Sequence, residues 1–126
     1  GGALVADMMS FPVTTVDPST PMYEIQQIME EEKIRGVIVE DQEKLQGIVV
    51  LWDLKKLRLR KQRDSPVKAF MNRNVSTISP DALASEAAEL MVQKNIGHLP
   101  VVQGEKVIGI VTRTDIINYL YGMLPA

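Results

Sequence analysis

Cysteine is absent from this 126-residue chain, and histidine occurs once, at His98. The first absence excludes disulfides, a thiolate metal site and a cysteine nucleophile. With a single histidine besides, a catalytic zinc would have to rest mostly on carboxylates, which is unusual for that ion. The chain also lacks a Walker-type or G-x-G-x-x-G glycine loop, and His98 has no evident serine and carboxylate partners. No catalytic constellation is therefore present, and no catalytic or metal-ligating residue is assigned. Long apolar runs are missing: none approaches the ~18 residues of a membrane span, and the N-terminus lacks the charge pattern of a signal peptide. Together with the missing cysteines this fits a reducing, cytoplasmic setting without membrane contact. A basic excess is missing as well. The 14 Lys+Arg against 16 Asp+Glu leave a net charge of −2, which argues against a dedicated nucleic-acid binder.

What the chain does have is repetition. Shifted by 62 residues it lies over itself without a gap, so that Met9, Val13, Thr15 and Pro18 fall on Met71, Val75, Thr77 and Pro80. Further along, Ile34, Val39, Gly47, Ile48, Val49 and Asp53 fall on Ile96, Val101, Gly109, Ile110, Val111 and Asp115. Two copies of one unit imply that a binding site built by one occurs twice. Gly47/Gly109 and Asp53/Asp115 are not apolar core residues, so core packing is not expected to account for them. The division is 1–8 as an N-terminal flank, 9–63 as the first repeat with a basic linker, 64–122 as the second repeat and 123–126 as a C-terminal flank. The abrupt ends, Gly1-Gly2 and Leu124-Pro125-Ala126, suggest a piece of a longer protein.

Each copy reads as short strand, helix, strand, strand, helix, an α/β (α+β) pattern. In the first, Val13 to Val16 is extended, and Ser19-Thr20-Pro21 supplies a cap and a first-turn proline. Met22, Ile25, Ile28 and Met29 then follow at helical spacing. Gly36 is expected to end that helix, and Val37 to Val39 and Leu45 to Leu51 are strands around the polar turn Glu40 to Lys44, with a further helix from near Asp53. The second copy repeats this with a strand Val75 to Ile78, a helix Ala82 to Lys94, strands Leu99 to Val102 and Val107 to Val111, and a helix Arg113 to Tyr121. Lys55 to Arg63 is the most basic stretch and reads as a solvated helix end and linker. Trp52 reads as packing, and the methionines as core fill.

The sharpest local signal is Gly109-Ile110-Val111-Thr112-Arg113-Thr114-Asp115, at a strand-to-helix junction. Two readings are open. Thr112 and Asp115 have the spacing of a capping box, a purely structural device. The same geometry sets a short carboxylate beside a helix N-terminus, where free N–H groups attract phosphate and the carboxylate accepts from a ribose diol. In the first copy Asp53 is kept, but Val50 replaces the threonine and can neither cap nor donate.

The paired Met-x-x-x-Val-x-Thr-Ile-x-Pro-like openings, Ile96-Gly97-His98-Leu99-Pro100-Val101-Val102 and the Gly-Ile-Val-Thr-x-x-Asp ending resemble tandem CBS (cystathionine-β-synthase) domains, a Bateman module, over residues 7 to 122. The resemblance implies two β-α-β-β-α repeats related by a pseudo-twofold and packed through their sheets. It also implies two clefts that take adenosine-containing ligands (AMP, ADP, ATP or S-adenosylmethionine), a homodimer of pairs and an attached effector domain. No cofactor is required. By the family's crossed pattern, one cleft would use Thr112 and Asp115 on the ribose, Val13 and Thr14 at the adenine, and Arg35 and Arg113 on phosphate, with His98 as a further phosphate contact. A second would use Asp53, Val75, Ser76, Leu99 and Pro100, with His98 able to serve either. Pro66 to Val75, Thr112 to Asp115 and Tyr119-Leu120-Tyr121-Gly122 further resemble the CBS region of bacterial tRNA nucleotidyltransferase/poly(A) polymerase-type proteins. The expected function is a ligand-binding regulatory module. The alternative is a ligand-free structural and dimerisation module, to which Val50 and the absence of proline at Ile38 point.

Overall fold

The computed structural model describes residues Gly2–Leu124; Gly1, Pro125 and Ala126, the outermost parts of the two flanks, lie outside the described residues. The chain divides into two compact units. One is continuous, Thr14–Val75; the other is split, built from the chain up to Val13 together with the chain from Ser76 onward.

In the continuous unit, β1 (Thr15–Val16) runs parallel to β2 (Gly36–Asp41), and β2 pairs antiparallel with β3 (Lys44–Val50). The hairpin turns at Gln42-Glu43, both at positive φ (51 and 66), as a two-residue turn that follows the twist of its strands requires. Helix α1 (Met22–Glu32) lays Met22, Ile25 and Met29 onto Val37, Val39 and Val49 of the sheet, the apolar stripe read from the sequence. Its start differs from expectation. Pro21 is the cap residue and makes no side-chain cap bond, while Asp17 takes the N–H and hydroxyl of Ser19 in the turn before it. Its end differs too. Lys33, in the left-handed conformation (φ 56), closes the helix, and Gly36 already belongs to β2. The expected second helix is two short ones, α2 (Leu51–Lys55) and α3 (Arg60–Asp64). Leu54 and Leu57 join the core from this region, whereas Trp52, expected to pack, is 65% exposed.

The split unit repeats these elements at the same shift: α4 (Ala84–Lys94), β4 (His98–Gln103), β5 (Lys106–Thr112) and α5 (Arg113–Gly122). Its core gathers Val5, Ala87, Met91, Leu99, Val101, Val111 and Ile116. Both antiparallel pairs carry a register shift at the same place, Val39/Glu40 and Val101/Val102. The strand expected over Val75 to Ile78 is reduced to one parallel bridge, Ile78 to Val101.

What precedes each repeat in sequence closes the other unit. A 3-10 turn at Val5–Asp7 is held by Val5 N–H on the Ala82 carbonyl (2.8 Å) and by Ala84 N–H on Ala3 (2.8 Å), and Ser10 exchanges both backbone bonds with Ile110. Its counterpart at Val67–Ala69 is held by Val67 N–H on Thr20 (2.7 Å), and Asn72 exchanges both bonds with Ile48. This crossing corrects the expectation about the two glycines. A Cβ on Gly47 would stand 2.7 Å from Met71 Sδ and 2.8 Å from the Asn72 carbonyl. On Gly109 it would stand 2.9 Å from Met9 Sδ and 2.9 Å from the Ser10 carbonyl. The glycines recur because a neighbouring backbone lies directly on them; packing accounts for them after all.

Candidate functional site

The β5–α5 junction of the split unit collects four of the singled-out residues. Thr112 ends β5, its backbone extended (φ −119, ψ 165), and the helix starts at Arg113. Asp115 Oδ2 accepts the Thr112 N–H at 2.8 Å, and Thr112 Oγ1 accepts the Asp115 N–H at 3.1 Å, so the capping box is formed. The box does not exhaust either side chain. A carboxylate has about four acceptor positions over two oxygens, and a hydroxyl that accepts still has its proton to donate. The cap therefore fixes the orientation of a half-buried carboxylate and hydroxyl while leaving capacity for a diol.

His98 opens β4 directly opposite Thr112 in the ladder, and the Arg113 N–H donates to the Gly97 carbonyl at 3.0 Å. The Arg113 guanidinium lies over Gly97, 3.0 Å from where a Cβ would be. An imidazole, a guanidinium, a capped carboxylate and a ten-residue helix start thus meet at one edge of the unit. Val13 lies three residues beyond the Ser10–Ile110 bridge, half-buried, where the chain leaves this strand.

The counterpart junction of the continuous unit keeps half of this. Asp53 Oδ2 accepts the Val50 N–H at 2.9 Å, and the valine returns nothing. The Leu51 N–H donates to the Arg35 carbonyl at 2.9 Å, the equivalent of Arg113 on Gly97. Each junction therefore has one guanidinium, drawn from opposite sides of the same backbone contact. In the continuous unit it comes from the strand entrance (Arg35), and in the split unit from the first helical residue (Arg113).

The remaining residues are dispersed. The Thr14 hydroxyl donates to the Glu32 carboxylate at the end of α1. Val75 is the last residue of the continuous unit and Ser76 the first of the returning segment, both half-buried. Leu99 and Pro100 are buried within β4, Leu99 in the core cluster. Among the described residues no group of His, Asp and Glu is placed to hold a metal ion, and no helix is long and apolar enough to cross a membrane.

Sequence reasoning missed a hollow of about 560 Å³ on the continuous unit, between the end of α1, Arg35, α2 and the start of the basic linker. Lys33, Arg35, Lys55, Arg58 and Arg63 line it, with Glu30 as the one acid, over a floor that includes Met29, Leu54 and Leu57. The basic run was visible in the sequence. That Lys33 and Arg35 face the same space is a consequence of the left-handed turn that brings the chain back from α1 into β2.

A protein-family description, the CBS domain, matches residues 5–60 and again 67–122. Protein MJ1232 of Methanocaldococcus jannaschii is 34% identical over 122 residues, which is 96% of this chain and 40% of that protein. An A-adding tRNA nucleotidyltransferase of Geobacter sulfurreducens is 28% identical over 116 residues, 92% of this chain and 13% of the enzyme. This chain thus spans well under half the length of these relatives. Among solved structures, the CBS domain pair of protein MJ0100 in complex with 5′-methylthioadenosine and S-adenosyl-L-methionine has a TM-score of 0.91 at 30% identity, covering 98% of this chain and 100% of that one.

Proposed function

The chain belongs to the CBS domain family as a tandem pair, and from that premise we propose that it takes up an adenosine-containing ligand and signals its presence to an attached domain. One observation carries this reading: the likeness, over nearly the whole chain, to a CBS pair that holds 5′-methylthioadenosine and S-adenosylmethionine. The β5–α5 junction supplies matching chemistry. Asp115, held by its own cap, takes the ribose hydroxyls with its spare acceptor positions, and the Thr112 hydroxyl donates beside it. The α5 N-terminus, Arg113 and His98 face what is attached at the 5′ position, where a phosphate gains most from a dipole end and a charge-assisted donor. That favours AMP, ADP or ATP over S-adenosylmethionine. The family resemblance alone would add Val13 and Thr14 at the adenine and Arg35 at the phosphate. Asp53, with Val75, Ser76, Leu99 and Pro100, is the weaker second set because Val50 offers no hydroxyl. Ligand binding regulates only to the extent that it favours one arrangement of the pair over another. The attached domain is of the nucleotidyltransferase kind by likeness to the relative above.

The test is a thermal-shift and calorimetric titration of the chain with AMP, ADP, ATP, 5′-methylthioadenosine and S-adenosylmethionine. A ligand at 100 times its Kd should add about 2.7 kcal/mol of stability. Asp115→Asn, which keeps an acceptor for the cap, should weaken binding about tenfold or more, and Asp53→Asn should change it less. Unchanged affinity in Asp115→Asn sinks the site. No shift with any of the five ligands, in a folded protein, sinks the reading and favours the structural module.

A further inference from the structure

The hollow on the continuous unit lies apart from the β5–α5 junction in the chain, and Arg35 is the one residue assigned to both. Five cations and one acid give its lining a net charge of +4, in a chain whose total is −2. The five cations are exposed, so water and salt screen much of their mutual repulsion, and a bound anion would relieve what remains. Carboxylates of the protein do not. Among the described residues the Lys33, Arg35, Lys55 and Arg63 side chains make no hydrogen bond or ion pair, and Arg58 donates only to the carbonyls of Lys55 and Leu57.

The internal repeat supplies a control. At the shift of 62, the counterparts of Lys33, Arg35, Lys55 and Arg58 are Asn95, Gly97, Ile117 and Leu120, and that of Glu30 is Val92. α1, β2, β3 and the start of α2 recur as α4, β4, β5 and the start of α5, so those elements form without cations at the places of Lys33, Arg35 and Lys55; only around Arg58 do the units differ, with α2 and α3 against the single α5. They are specific to one copy, and all of them face one space.

We propose that this hollow is a binding site for a compact polyanion, an oligophosphate group. Its volume of about 560 Å³ lies within the range of small-ligand sites, about 300–1,000 Å³. Three arginines and two lysines combine forked and point-charge donors around it, the mixture that suits clustered phosphates. A nucleic-acid strand is a poorer match. The lining holds no aromatic residue on which a base stacks, and the surface is a hollow rather than a track.

Inorganic tripolyphosphate is the probe, titrated calorimetrically into the chain. Four variants decide the outcome: Lys55→Gln with Arg63→Gln, Lys33→Asn (the residue its counterpart Asn95 uses in the same left-handed turn), a control pair, Lys94→Gln with Lys106→Gln, equal in charge but on the split unit, and Arg113→Gln at the β5–α5 junction. One molecule should bind per chain, about tenfold or more weaker in the first pair, weaker in Lys33→Asn, and unchanged in the control and in Arg113→Gln. Four results overturn the proposal: no binding to the wild type at millimolar probe, equal loss in the Lys55/Arg63 and Lys94/Lys106 pairs, loss through Arg113→Gln alone, or tighter binding of a short oligoribonucleotide through the same residues. The adenosine titration of Asp115→Asn is independent of all four.

Discussion

Gly47 and Gly109 are positions where one carbon atom decides whether a backbone segment can lie on a strand. Gly47→Ala would drive Cβ into the Asn72 carbonyl, which cannot swing aside as the Met71 side chain can. The expected loss is about 1–3 kcal/mol, the range of overpacking, read from urea unfolding. Gly122→Ala, with nothing within 4 Å, should be neutral or slightly stabilising in the same assay. The repeat of these glycines was legible in the sequence, but its cause was not, because the segment above each comes from the opposite end of the other repeat. Asp17 offers a second test. The Ser19 hydroxyl, then the Ser19 N–H, hold its carboxyl below the ordinary aspartate range. A group depressed in the folded state contributes stability above its ordinary pKa and loses it as pH falls through the folded midpoint. Carboxyl NMR should therefore place the Asp17 midpoint below the usual value of about 3.9, and Ser19→Ala should raise it. A midpoint indifferent to Ser19→Ala removes that cause.

At the scale of elements, the two strand-to-helix junctions form a natural substitution experiment. Thr112 and Asp115 cap each other, whereas Val50 leaves Asp53 with half a box. Thr112→Val turns the second junction into the first and should cost about 1 kcal/mol, the usual worth of an N-cap side chain, seen in thermal unfolding and in faster amide exchange over the first turn of α5. No loss would mean that the hydroxyl is not kept for the cap. Helices and hairpins were legible because apolar stripes and polar turns mark them locally. Boundaries were less so. Gly36 looked like the end of α1, yet Lys33 takes the left-handed position, which a lysine gives no sign of adopting. The short strand over Val75 to Ile78 shrank to one bridge because its apolar alternation is the same whether or not a neighbour supplies hydrogen bonds. Of the candidate site, the Thr112–Asp115 capping pair was legible from its spacing, whereas Arg113 and His98 were named through the family resemblance. The cationic hollow was hidden because its members come from three separate stretches.

At the scale of the whole molecule, the repeat visible in the sequence is not the unit of packing. Val5, fully buried, belongs to the core of elements more than 75 residues away in sequence. Val5→Ala should cost about 2 kcal/mol, and hydrogen exchange should report the loss in α4, β4 and β5. Equal loss of protection in β2 and β3 would refute this local assignment. The connectivity also sets an order of events during synthesis. Every partner of the continuous unit has been made once Val75 is added. The Ser10–Ile110 bridge must wait for β5, so a segment made before the continuous unit finds its place only after that unit is complete. A nascent chain halted after Val75 carries one unit able to close and an upstream segment around Ser10 without its partner. Its unpaired backbone and the Val5 side chain are what a chaperone, or a second nascent copy, would meet first.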